Sequence, residues 1–140
     1  MHSRSSFMGF LLAAGIILSG WIPTAGWAEP SAEQLRDTIR QYIQNQEKAL
    51  GNFTVPDPKD KGHLRTLSLI RVHERVGKTG DYYYSCTDMK DVATGDTLDL
   101  DFDISDTGKK LKVVAVRIHK DNGKPRYTYD SNDNLIPLSE

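Results

Sequence analysis

The sequence predicts an α+β domain, with one N-terminal amphipathic helix packed across a curved antiparallel sheet of four to five strands. Three observations carry the prediction. Leu98, Leu100, Phe102 and Ile104 alternate strictly with Asp99, Asp101 and Asp103, the period of two of a strand with one buried face. Strand-like runs bounded by Gly- and Asn-containing turns lie on both sides of it. A single helical stripe precedes them all, and a lone amphipathic helix needs a sheet to lie on.

Residues 1–28 differ in kind from the rest. His2 and Arg4 precede an apolar run from Phe7 to Ile22 without charge, and Gly26 and Ala28 stand at the minus-three and minus-one positions of a cleavage site. This is the layout of a secretory signal peptide. Gly15, Gly20 and Pro23 interrupt the run and make it a poor anchor, since a span wants ~20 good apolar residues. The expectation is an exported chain, periplasmic or secreted, with residues 29–140 as one domain and no stable membrane insertion after cleavage.

Removing residues 1–28 leaves 112 residues with 17 Lys plus Arg against 19 Asp plus Glu, and no tryptophan. Interspersed, near-balanced charge argues against nucleic acid, whose phosphates call for a clustered basic face. Cys86 is the one cysteine, so no disulfide closes within the chain and the core must hold the fold alone.

In chain order, Ser31 and Gln34 have capping-box spacing, and Leu35, Ile39, Tyr42, Ile43, Ala49 and Leu50 form the stripe up to Gly51, a left-handed cap. Asn52 to Lys61 is a connector in which Phe53 and Val55 can form a short edge strand beside Pro56 and Pro58. Leu64 to Val76 is a long strand, with a parity change between Leu69 and Ile70 that signals a bulge. Gly77-Lys78-Thr79-Gly80 reads as a hairpin turn into a strand from Asp81 to Met89, on which Tyr82, Tyr84, Cys86 and Asp88 share a face. After the central strand and a turn at Gly108 comes Leu111 to His119, with a second parity change at Val113-Val114. Asn122-Gly123 is a type I′ hairpin signal. Arg126 to Tyr129 is the expected edge strand, with Ser131 to Glu140 fraying beyond it.

Helix first and then a meander of strands resembles the cystatin-like architecture over residues 31–130. The protease-binding motifs of that family do not carry over: Glu74-Arg75-Val76-Gly77-Lys78 is not a Gln-x-Val-x-Gly hairpin, and the Pro-Trp loop is missing. Tyr84 to Asp91 and Arg117 to Tyr127 also resemble segments of small exported bacterial proteins of unassigned function. That likeness implies no mechanism.

The chemistry-bearing groups are few. Asp99, Asp101 and Asp103 match the first half of a calcium loop, but Ile104 and Lys110 stand where Gly and Glu are required, so they read as a solvated strand face. Ile70-Arg71-Val72-His73-Glu74 echoes Val116-Arg117-Ile118-His119-Lys120. With His63 these supply three imidazoles, enough for a metal only if the strands bring them together, which a simple meander does not favour. Arg71 and Arg117 with the histidines suit an anion or carboxylate contact surface. Cys86 has no His beside it in sequence and reads as structural. The expected function is therefore a non-catalytic binding or accessory domain for an unidentified protein or small ligand, with no cofactor. Its candidate contact residues are Arg71, His73, Tyr82, Tyr84, Arg117, His119, Arg126 and Tyr127. The alternative is a small metal-binding protein or enzyme using the histidines.

Overall fold

The computed structural model describes residues 26–138, so most of the expected leader lies outside the described residues. Helix α1 (Ala32–Leu50) begins at the capping box: the Ser31 hydroxyl accepts from the Gln34 N–H at 3.2 Å, and the Ser31 N–H donates to the Gln34 side chain at 2.8 Å. Gly51, at φ 84°, closes it in the left-handed conformation that glycine adopts without steric cost. Leu35, Ile39 and Ile43 are buried, one turn apart along the side that meets the sheet. The stripe ends sooner than the sequence suggests, because Ala49 and Leu50 are exposed.

The main sheet contains β1 (Phe53–Asp57), β2 (His63–Thr79), β3 (Tyr82–Asp91), β4 (Thr97–Asp106), β5 (Leu111–Asp121) and β6 (Lys124–Pro125), antiparallel neighbours in that order. The expected count of four to five strands is too low: six form this sheet, and β7 (Tyr127–Tyr129) pairs with β8 (Leu135–Pro137) in a separate ribbon. Short connections make each strand the partner of the one before it. The central position falls to β4, whose Leu98, Leu100, Phe102 and Ile104 are completely enclosed against α1. Full burial of each such side chain stabilises the fold by about 1.5–3 kcal/mol. Tyr42 of the helix meets Phe53 and Phe102 edge-on at centroid distances of 6.3 and 6.1 Å.

One turn reading holds and two neighbouring readings change. Asn122 and Gly123 do take positive φ, 46° and 79°, as a type I′ turn requires. Gly77, by contrast, belongs to β2; a Cβ there would come within 3.0 Å of the Tyr84 ring, so its absence of side chain makes room for that ring. The expected edge strand Arg126 to Tyr129 is divided. Lys124 and Pro125 end the main sheet, and the tail returns as β8, paired with β7, instead of fraying.

Candidate functional site

The face of β4 turned away from the helix is where the sequence reading and the structure part. Alternation sends Asp99, Asp101 and Asp103 to that face, but they are not solvated: Asp101 is fully buried, and Asp99 and Asp103 are 9% and 6% exposed. The β7–β8 ribbon supplies the tyrosines that cover them. Tyr127 and Tyr129, two residues apart on one side of β7, both donate their hydroxyls to Asp101 Oδ2 at 2.6 Å.

Cross-strand register supplies the other neighbours. Cys86 of β3 lies opposite Asp101 and donates its thiol to Oδ1 at 2.8 Å, and Asp88 lies opposite Asp99. On β5, Asp99 pairs with Lys120 and Leu100 with Ile118, leaving His119 as the extra residue of a bulge. A bulge re-aims side chains that regular pleating would send to opposite faces. Here it lets His119 and Lys120, adjacent in sequence, both reach the carboxylates: His119 Nδ1 stands 3.7 Å from Asp101 Oδ2, and Lys120 Nζ 3.7 Å from Asp99 Oδ2. His119 Nδ1 is also 3.9 Å from Cys86 Sγ, so a histidine does flank the thiol.

The imidazole of His119 is fixed on both sides. Its ring stacks on Tyr127 at a centroid distance of 4.7 Å, and Nε2 donates to the Tyr127 carbonyl at 3.1 Å. Arg117 pairs with both oxygens of Asp103 and is thereby committed. Tyr84 stacks on Tyr129 at 4.6 Å and donates to Asp133 at 2.9 Å; burial and that carboxylate push its phenol up to about 12. Burial, reinforced by Asp101, drives the Cys86 thiol and the Tyr127 phenol far above their ordinary values. Burial also raises Asp99, whose Oδ1 is enclosed and has no hydrogen-bond partner.

Two groups of possible ligand atoms result, each drawn together within 4.8 Å: Cys86, Asp99, Asp101 and His119; and His73, Asp88 and Asp99. His73 and His119 thus flank Asp99 from opposite sides without sharing one group, and His63 sits exposed in the terminal β1–β2 pairing.

The contact residues named from sequence fall into three places. Arg117, His119 and Tyr127 converge on the buried carboxylates, and Tyr84 stands beside them, stacked on Tyr129 with its hydroxyl on Asp133. Arg71 and His73 share Asp88, at 3.1 and 2.8 Å, while Tyr82 remains exposed on the strand end. Arg126 lies apart from them, paired with both oxygens of Asp57 and with Asp121. Asp99, Asp101 and Tyr129 were missed as site residues; the unbroken carboxylate alternation was the signal for the two aspartates, but it does not reveal that Tyr129 covers them.

Two grooves lie elsewhere. One of about 470 Å³ is lined by Lys59, Asp121, Lys124 and Arg126, and one of about 460 Å³ by Arg36, Arg40, Arg71 and His73. Neither contains Cys86, Asp99, Asp101 or His119. No helix among the described residues is long and apolar enough to cross a membrane. Comparison with protein-family models, curated proteins and solved structures finds no match.

Proposed function

We propose that the protein is an exported, non-catalytic binding domain whose working surface is the carboxylate face of the sheet, roofed by Tyr127 and Tyr129. The observation that carries the reading is the pair of buried carboxylates, Asp99 and Asp101, one of them with an enclosed and unpartnered oxygen. Buried polar atoms of folded proteins are almost always satisfied, and an exception calls for an explanation such as a bound group.

The same geometry supports binding without turnover. A nucleophilic thiol needs a depressed pKa, whereas Cys86 is pushed the other way and its S–H is committed to Asp101. A general base must be free to reach a substrate, whereas the His119 ring is held by a stack and a carbonyl. The grooves of about 470 and 460 Å³ do not open onto either group.

Export rests on the composition of residues 1–28. We read the finer architecture as an N-terminal amphipathic helix across a curved sheet, cystatin-like in general outline. Protease inhibition is no part of the proposal, since Glu74 to Lys78 runs within β2 and has Glu74 and Lys78 where the inhibitor motif has Gln and Gly. Near-neutral charge likewise leaves nucleic acid outside the set of partners.

Native mass spectrometry of the protein isolated gently from an exporting host tests the reading. The expected spectrum shows the chain with a bound ion, small molecule or protein, and Asp101→Asn loses that adduct. A bare wild-type chain, or an adduct indifferent to Asp101→Asn, would overturn it.

A further inference from the structure

We propose that Cys86, Asp99, Asp101 and His119 form a site for a single borderline divalent transition-metal ion, zinc being the best match to the donor set. The inference names the ligand of the face described above and rests on that reading.

The donor atoms come first. One sulfur, one imidazole nitrogen and two carboxylates lie within 4.8 Å of one another. Calcium and magnesium take oxygen ligands, so the thiol and imidazole select against them, and mixed sulfur, nitrogen and oxygen ligation by four groups is that of tetrahedral zinc.

His119 gives an independent indication. A carbonyl can only accept, so Nε2 carries the proton that bonds to the Tyr127 carbonyl, and in the neutral ring the lone pair is on Nδ1. Nδ1 is the atom turned to the group, 3.9 Å from Cys86 Sγ and 3.7 Å from Asp101 Oδ2. Fixing one ring nitrogen through a backbone carbonyl while the other faces the ion is how metal-ligating histidines are oriented. The stack on Tyr127 holds the ring in that plane.

Charge is the third. Asp101 is fully buried, and its hydrogen bonds come from a thiol and two phenols, all neutral donors. Asp99 is met by Lys120 at 3.7 Å, but that ammonium is 41% exposed and leaves Asp99 Oδ1 unpartnered. Arg117 is held by Asp103. A buried carboxylate is costly unless paired. A dication between Asp99 and Asp101 supplies the charge that the side chains do not.

Occupation is an exchange of one ion for one proton. The Cys86 S–H gives its proton to solvent and the thiolate binds the metal. Asp101 Oδ1, relieved of the S–H donor, becomes a ligand, while Oδ2 keeps both tyrosines. With metal bonds of about 2.3 Å to sulfur and 2.0 Å to oxygen, tetrahedral geometry sets sulfur and oxygen about 3.5 Å apart. The present 2.8 Å therefore widens by a small side-chain rotation. Four protein ligands leave no open position, the arrangement of a structural or carrier site, not a catalytic one.

Cobalt(II) reports directly on such a site. The protein from cells expressing the full chain, stripped with chelator, should bind one equivalent of Co²⁺ with a thiolate-to-cobalt absorption band and tetrahedral visible bands, both abolished by Zn²⁺. Cys86→Ser should remove the thiolate band. His119→Gln and Asp99→Asn should each weaken cobalt binding by at least about tenfold, with the metal-free circular dichroism of all three unchanged. The proposal is overturned if the folded wild type gives no band, or if His119→Gln and Asp99→Asn bind cobalt as tightly as wild type. Should cobalt fail while the native mass spectrum shows an organic or protein adduct lost in Asp101→Asn, the metal inference falls and the binding reading stands. If both fail, both fall.

Discussion

Cys86 shows how much of a residue's chemistry is decided across the sheet. Its thiol donates to Asp101 on the neighbouring strand, and burial together with that carboxylate suppresses the thiolate. Alkylation of the metal-free native protein by iodoacetamide near pH 8 should accordingly run at least about tenfold slower than in denaturant, because the thiolate is the reacting form. Equal rates in the two states would contradict this environment. The sequence reads Cys86 as structural because no His lies beside it in sequence, whereas the group that engages its thiol is Asp101 on the neighbouring strand. Same-strand neighbours can be read from periodicity, whereas the partner across the ladder depends on register. Gly77 is a similar case: it reads as a turn glycine, yet what it provides is space for the Tyr84 ring, a tertiary requirement that its local sequence does not display.

Among the elements, those specified by local pattern were legible. The capping box, the Gly51 cap, the Asn122-Gly123 turn and the parity change around Ile70 all reappear where the residues indicate, the last as a register shift between Leu69 and Arg71. The His119 bulge left no such mark, since His119, Lys120 and Asp121 are all polar and offer no apolar parity to break. β7 was legible within the expected strand Arg126 to Tyr129, but β8 and its pairing were hidden because a three-residue strand carries too little periodicity to register. The approach of the ribbon is pinned by Arg126, which binds both oxygens of Asp57 just before β7 and, with Arg65, ties the β1 end to the chain 69 residues later. The Arg126 guanidinium holds the Asp57 carboxyl at about 2, below its ordinary 3.8. A depressed carboxylate contributes stability above its unfolded pKa and loses it as pH falls through the folded value, here between about pH 4 and about pH 2. Urea unfolding should thus show wild type more stable than Asp57→Asn near neutrality, by about 3–5 kcal/mol for breaking a buried pair. That gap should narrow by about 2 kcal/mol as pH is lowered to about 2. A gap independent of pH would exclude the Asp57–Arg126 pair as its source.

For the whole molecule, one β-strand with two kinds of face explains both fold and site. The apolar face of β4 nucleates the core with α1, and the acidic face, instead of meeting water, is closed by β3, β5 and the returning tail. Alternation alone revealed the first face completely and the residue types of the second. It did not reveal the roof, because closure comes from residues 127–137, whose position depends on where the chain leaves the main sheet. A stabilising ion should be felt by the entire fold, since a ligand bound only by the native state raises its stability by about 2.7 kcal/mol at a hundredfold excess over Kd. For a domain of this size the thermal midpoint should rise on the order of 10 °C. The most direct measurement is thermal unfolding of the chelator-stripped protein with and without Zn²⁺, beside His119→Gln. A zinc-dependent rise of that order in wild type, lost in His119→Gln, is the predicted result. A wild-type midpoint unmoved by saturating zinc, or a rise of the same size in the variant, would contradict the account.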